Sequence, residues 1–247
     1  MSRTILHGVG RLILKDFADP TKVITYSELQ QFTFESTFSA DDITGGNKMF
    51  PIASFKTESA INCTAKNAMF DDGIMPYLDG GDVTTGKTTL TDFKEVTIPS
   101  GLEVTLPTGI TNVVISGFEK ADTAAAGKFT VGNDGKVTFA EADKGKTVTI
   151  VYDYESTANA TQISMNEKSM AKPFRADYIF DVYNEDSQIV GKGTIIVYKA
   201  QATSGLQIDQ SHQTAFAPEF NFSARDPKRE DGKLWNFVFD PIETVTP

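Results

Sequence analysis

The sequence predicts an all-β protein: an antiparallel β-sandwich or barrel with one short helix and a second, small β module. Three observations carry this. Apolar residues alternate with polar ones along most of the chain, the period of a strand with one buried face. Clusters of Gly, Pro, Asn, Asp and Ser recur roughly every 8–12 residues, as turns do in sandwiches and barrels. Helical spacing is confined to one stretch, residues 66–78.

Taken in order, residues 6–14 read as a first strand and 16–21, with Asp19-Pro20, as a turn. Residues 23–38 form one or two strands, with Phe32, Phe34 and Phe38 on one face. Residues 41–47 read as a loop, because Gly45-Gly46 flanked by Asp and Asn favours a turn. Residues 53–65 are a strand. In residues 66–78, Met69, Ile74, Met75 and Leu78 are helically spaced, and Gly73 and Pro76 limit the helix to a turn or two. Residues 79–87 read as a loop, and 90–98 and 102–106 as strands broken by Pro99-Ser100-Gly101, followed by a strand at 113–118.

The most regular stretch is 127–154. Phe129 and Val131 alternate into Asn133-Asp134-Gly135, a hairpin signal because Asn and Asp tolerate positive φ and Gly has no Cβ to clash. Val137 and Phe139 follow, then a turn at 141–145. A third strand places Val148, Ile150, Tyr152 and Tyr154 on one face. After the polar link 155–161, strands are expected at 162–165, 174–183, 191–200, 215–224 and 234–239. The last carries Trp235, Phe237 and Phe239 on one face. Eighteen Phe stand against one Trp, and their alternation predicts core packing.

Composition is that of a folded domain, with 40% hydrophobic and 23% charged residues in 247. The net charge of −10 disfavours nucleic-acid and anionic-membrane surfaces. The N-terminal residues lack an apolar stretch and no run approaches about 18 apolar residues, so neither signal peptide nor membrane span is expected. The single cysteine, Cys63, rules out an internal disulfide and reads as a small buried hydrophobe in mid-strand. The glycosylation triplets at Asn62, Asn159 and Asn221 read as chance matches.

Reactive chemistry finds little support. Two histidines, His7 and His212, with one cysteine make a zinc site or a catalytic triad improbable. Asp41-Asp42, Asp71-Asp72 and Asp79 with Asp82 lack the spacing of a calcium loop. Gly81-Asp-Val-Thr-Thr-Gly-Lys-Thr88 matches the phosphate-loop pattern, but a working loop is followed by a helix. Here an alternating strand follows, so Lys87 is expected in a surface loop. A carbohydrate-binding sandwich, a different class, would need exposed aromatics, for which Tyr77, Tyr183 and Trp235 are the candidates. No catalytic, cofactor-binding or metal-binding residue is expected, and no enzymatic activity.

The layout resembles a tailed-bacteriophage virion structural protein, most closely a major tail tube protein. The resemblance rests on Gly8-Val-Gly-Arg-Leu-Ile-Leu14, the long strands either side of Asp42-Ile-Thr-Gly-Gly46, and Thr64-Ala-Lys-Asn-Ala-Met-Phe70. It continues through Phe220-Asn-Phe-Ser-Ala-Arg-Asp-Pro227 and Leu234-Trp-Asn-Phe-Val-Phe239. Residues 127–154 are similar to a segment of phage structural proteins, and 99–156 look like an inserted immunoglobulin-like module. The resemblance implies a discontinuous core of 1–98 and 157–247 carrying 99–156 as the insert. It also implies a virion tail protein made in the host bacterial cytoplasm, with no cofactor and no membrane. Its copies would form rings, commonly of six, stacked through residues 39–51, 1–7 and 240–247 and joined to other tail proteins. Genomic DNA would transit an acidic lumen without specific binding. A capsid decoration, tail-tip or baseplate protein is the neighbouring alternative.

Overall fold

The computed structural model describes residues 4–46, 49–212 and 217–242. Along them run β1 (Ile5–Leu6), β2 (Arg11–Asp16), β3 (Val23–Tyr26), β4 (Leu29–Ile43) and β5 (Ala53–Asn67). A 3-10 turn (Asp72–Ile74) leads into α1 (Met75–Leu78), then β6 (Asp82–Thr85), β7 (Thr89–Thr97), β8 (Glu103–Thr105), β9 (Thr111–Ile115) and β10 (Glu119–Lys120). The hairpin strands β11 (Lys128–Val131) and β12 (Lys136–Phe139) precede a second 3-10 turn (Glu141–Asp143) and β13 (Thr147–Glu155). The chain closes with β14 (Thr161–Ser164), β15 (Phe174–Tyr183), β16 (Ile189–Ala202), β17 (Glu219–Ala224) and β18 (Trp235–Pro241). The protein is all-β with one short helix, and no sheet closes into a barrel among the described residues, so the sandwich reading holds and the barrel does not.

The chain forms two compact units, Met1–Val83 with Ile163–Pro247, and Thr84–Gln162. The second unit begins earlier than the boundary expected at residue 99. The reason is β7, which pairs with β13 from Thr97↔Thr147 to Thr89↔Glu155. Alternation shows which face of β7 is buried but not which strand it joins. The expected loop at 79–87 contains β6, which pairs with β14 where the chain passes from one unit to the other and back.

The first unit holds a nine-stranded sheet in the order β3-β2-β15-β16-β17-β5-β4, with β1 on β15 and β18 on β16. The single strand expected at 6–14 is broken. Gly8 adopts φ +82, and a Cβ on Gly10 would lie 2.0 Å from the Ile179 carbonyl oxygen. Only glycine permits that approach, in which the Gly10 N–H donates to the Tyr178 hydroxyl at 3.0 Å. The sheet curls over itself, so that Phe32 on β4 stacks on Tyr178 of β15 with ring centroids 3.8 Å apart. Leu12, Leu14, Phe174, Val182 and Phe222 fill the interior between the facing layers. The 3-10 turn and α1 join that core. Asp71 accepts from the Gly73 N–H at 2.9 Å, and Pro76 falls in the first helical turn, where a missing N–H costs nothing. Tyr77 packs edge-on to Phe174, and its hydroxyl donates to Asp16 Oδ2 at 3.0 Å.

The second unit is a two-sheet sandwich, β10-β11-β12-β8 against β7-β13-β9, in which β10 lies parallel to β11. The expected hairpin forms. Gly132 donates to the Lys136 carbonyl at 2.8 Å, and Gly135 takes φ +78. The expected third strand leaves that hairpin, however, and β13 joins the other sheet between β7 and β9. Val148, Ile150 and Tyr152 point inward as their alternation requires, in one core with Phe129, Val137 and Phe139. The turn between the two sheets is pinned by Asp143. Its buried carboxylate accepts from Lys146 Nζ at 2.7 Å and from the Gly127 N–H at 2.9 Å.

Candidate assembly surface

One incomplete surface belongs to β4 and β5. Both strands are fifteen residues long and pair from Leu29↔Asn67 to Ile43↔Ala53. β17 covers β5 only along Asn62 to Lys66. Beyond the buried Ile61 the two strands pair with each other alone, and both faces of the ribbon are exposed. A two-stranded ribbon is at best marginally stable in water, and exposed apolar groups on it mark a contact surface. Phe38 and Phe55 lie exposed on the ribbon, and the tip beyond Ile43 presents Met49 (92% exposed), Phe50 (79%) and Ile52.

Two expectations are corrected here. The loop expected at 41–47 starts only after Ile43, because Asp41 and Asp42 lie in the ladder, with Asp42 accepting from the Ser54 hydroxyl. Phe38 does not join Phe32 and Phe34 in the core, for it lies beyond the point where the sheet covers the ribbon. Its ring instead carries the Lys56 ammonium 5.5 Å from its centroid.

A second open surface is β18. It pairs with β16 from Val197↔Trp235 to Gly191↔Pro241, and no described strand covers its other edge. Its aromatic face is only partly core. Trp235 packs on Phe34 at 4.8 Å and Phe237 stacks on Phe180 at 6.2 Å, yet Phe237, Val238 and Phe239 remain exposed. An uncovered strand edge with apolar side chains is a template for pairing with another chain. A third exposed row, Phe93–Val151–Val114, crosses β7, β13 and β9 in the second unit. Alternation could not reveal these aromatics, because it marks a face without saying whether anything lies over it.

The residues weighed for chemistry are scattered. Cys63 is buried in β5, and burial pushes its thiol up to about 12. His7 and His212 are both exposed, on separate segments. The phosphate-loop look-alike is strand β6 with β7 after it, and Lys87 Nζ pairs with Glu155 Oε2 at 2.8 Å. A strand aims its N–H groups sideways at a neighbour, so no phosphate cradle forms there. Asp71 caps the 3-10 turn and Asp79 Oδ2 accepts from the Leu206 N–H at 3.0 Å. No group of three or more metal-ligating side chains comes together among the described residues. Tyr77 is buried, which removes it as a sugar-stacking aromatic, and Tyr183 packs edge-on to His7. No helix is long and apolar enough to cross a membrane among the described residues.

The chain is similar to a tail tube protein of Bacillus phage SPR. The two are 24% identical over 231 residues, covering 90% of this chain and 84% of that one. The pattern of the YomU/Tube protein family matches residues 4–237, and the chain belongs to that family.

Proposed function

We propose that this chain is the structural subunit of a phage tail tube, in which copies close into rings and the rings stack into a conduit for DNA. The observation that carries the reading is the ribbon β4–β5, exposed on both faces and apolar at its tip. A lone subunit leaves that surface unsatisfied, and a second subunit covers it. The open edge of β18 supplies the lateral contact, since strand pairing between neighbours hides edges that would otherwise aggregate. A lateral contact whose rotation closes gives a ring, six copies being the family expectation, and an axial contact that does not close propagates as a tube. The net charge of −10 suits a lumen that repels phosphates and lets DNA slide. The role is structural rather than catalytic, and its partners are further copies and other tail proteins. The unit Thr84–Gln162, with its own core, lies on the outside of the tube in this reading. Negative-stain electron microscopy of the purified protein tests the proposal. Rings or tubes are expected, and a strict monomer by light scattering at millimolar concentration refutes it.

A further inference from the structure

Where β2, β15 and β16 meet the segment 225–233, an open cleft of about 470 Å³ is lined by Lys15, Phe17, Arg175, Tyr198, Pro227 and Arg229. That volume falls within the range of small-molecule and side-chain sites, roughly 300–1,000 Å³. In a chain of net charge −10, three cationic side chains converge here. Each is held in place. Buried Asp177 accepts from Arg175 Nε at 2.8 Å and pairs with Lys15 Nζ at 3.2 Å. Lys228 adopts φ +53, and the Arg229 that follows it sets its guanidinium carbon 4.1 Å from the Tyr198 ring centroid. The Arg175 guanidinium carbon lies 5.8 Å from the same centroid. The cleft offers charged donors and no free carboxylate. Asp16, which also lines it, accepts from the Ala18 and Asp19 N–H groups and from the Tyr77 hydroxyl. Asp231 takes Nε and Nη2 of Arg229 at 2.9 Å each. The two terminal nitrogens of Arg175 and Nη1 of Arg229 have no partner among the described residues. A guanidinium only donates, so these groups are complementary to a ligand that only accepts.

We propose that this cleft docks an acidic peptide segment of another protein. The peptide carboxylate takes the free edge of the Arg175 guanidinium, flanked by Lys15 and Arg229. An apolar side chain beside it lies against Pro227 and the exposed Phe17. Charge complementarity selects this occupant. Lys15 and Arg175 share the single carboxylate of Asp177, so the pair keeps one positive charge, which one further carboxylate matches. A guanidinium edge holds a carboxylate through two parallel N–H···O bonds. A phosphate group brings up to two charges and overmatches the pair. Within this chain the exposed acidic turn Glu185-Asp186 lies between Asn184 and Ser187 and brings no apolar side chain, so it does not fit the walls. The cleft shares no residue with the β4–β5 ribbon or with β18, and the proposal stands whether or not copies of the chain polymerise.

Isothermal titration calorimetry on the full-length protein tests this, with the acetylated and amidated peptide Phe-Glu-Phe-Glu as the probe. Saturable binding with a dissociation constant of about 1 mM is expected, weakening as salt is added. The peptide Phe-Gln-Phe-Gln, which lacks the charges, should give none. Arg229→Gln should weaken the probe about tenfold, and so should Lys15→Gln, which leaves Arg175 to hold Asp177. Both side chains are half-exposed, so the melting temperature of each variant without peptide should stay close to that of the wild type. No saturable binding by the wild type, or unchanged affinity in both variants, overturns the proposal. Tighter binding of the same peptide with phosphoserine in place of glutamate would make the cleft a phosphate site and overturn it as well. Either result leaves the tube reading untouched.

Discussion

Ile150→Val tests whether the two compact units unfold separately. Ile150 is fully buried at the middle of β13, opposite Ile115 on one side and Lys94 on the other. The substitution removes one methylene, which costs about 0.5–1.5 kcal/mol in a packed core. In a unit the size of Thr84–Gln162, each kcal/mol moves the melting temperature by roughly 4–8 °C. Scanning calorimetry should therefore show two transitions, one of them lowered by about 2–12 °C and the other unmoved. The matching change in the first unit is Ile61→Val, at a buried site in the other core. It should lower only the other transition, and by less, about 1–6 °C, because a larger cooperative unit shifts about 2–4 °C per kcal/mol. Tube formation by Ile150→Val should match the wild type. One common transition that moves by the same amount in both variants would show a single cooperative block and refute the reasoning.

Replacing residues 84–162 with a short Gly/Ser linker should leave a soluble, tube-forming protein, because β6 and β14 lie side by side where the chain crosses and loop closure changes by only about 0.6 kcal/mol per doubling of length; an aggregated product by electron microscopy would place those strands in the tube core. Lys87→Ala should melt within about 2 °C of the wild type, because it loses only an exposed ion pair, and neither protein should bind ATP by calorimetry; ATP binding by the wild type that is lost in the variant would restore the phosphate-loop reading. The Lys146 ammonium, outweighing burial and aided by the Gly127 N–H, holds the Asp143 carboxyl below 3.8. Burial pushes Asp16 upward, but the N–H groups of Asp19 and Ala18 and the Tyr77 hydroxyl lower it more, so it too lies below 3.8. Both depressed groups stabilise the fold fully above about pH 4, and that stability is lost as the pH falls through their folded values. Asp143→Asn should therefore flatten the acid dependence of the second unit's transition below about pH 4, and an unchanged slope would remove Asp143 from the acid response.

Sequence alone determined the all-β class, the one short helix and the faces of nearly every strand. These are local properties: period-two alternation, turn residues, and helical spacing cut short at Gly73 and Pro76. The alternating Val148, Ile150 and Tyr152 face inward, and the hairpin turns at Gly135. Tertiary structure decided everything that depends on what lies opposite a strand. β13 leaves the hairpin it follows and pairs with β7, so the second unit begins at Thr84. Phe32 and Phe38 share one face of one strand, yet the first is stacked on Tyr178 and the second stands in solvent, because the curled sheet covers only the root of the ribbon. Alternation records that a strand has an apolar face. Whether that face meets its own chain or awaits another copy depends on contacts between residues far apart in sequence, and the assembly surface arises where those contacts stop.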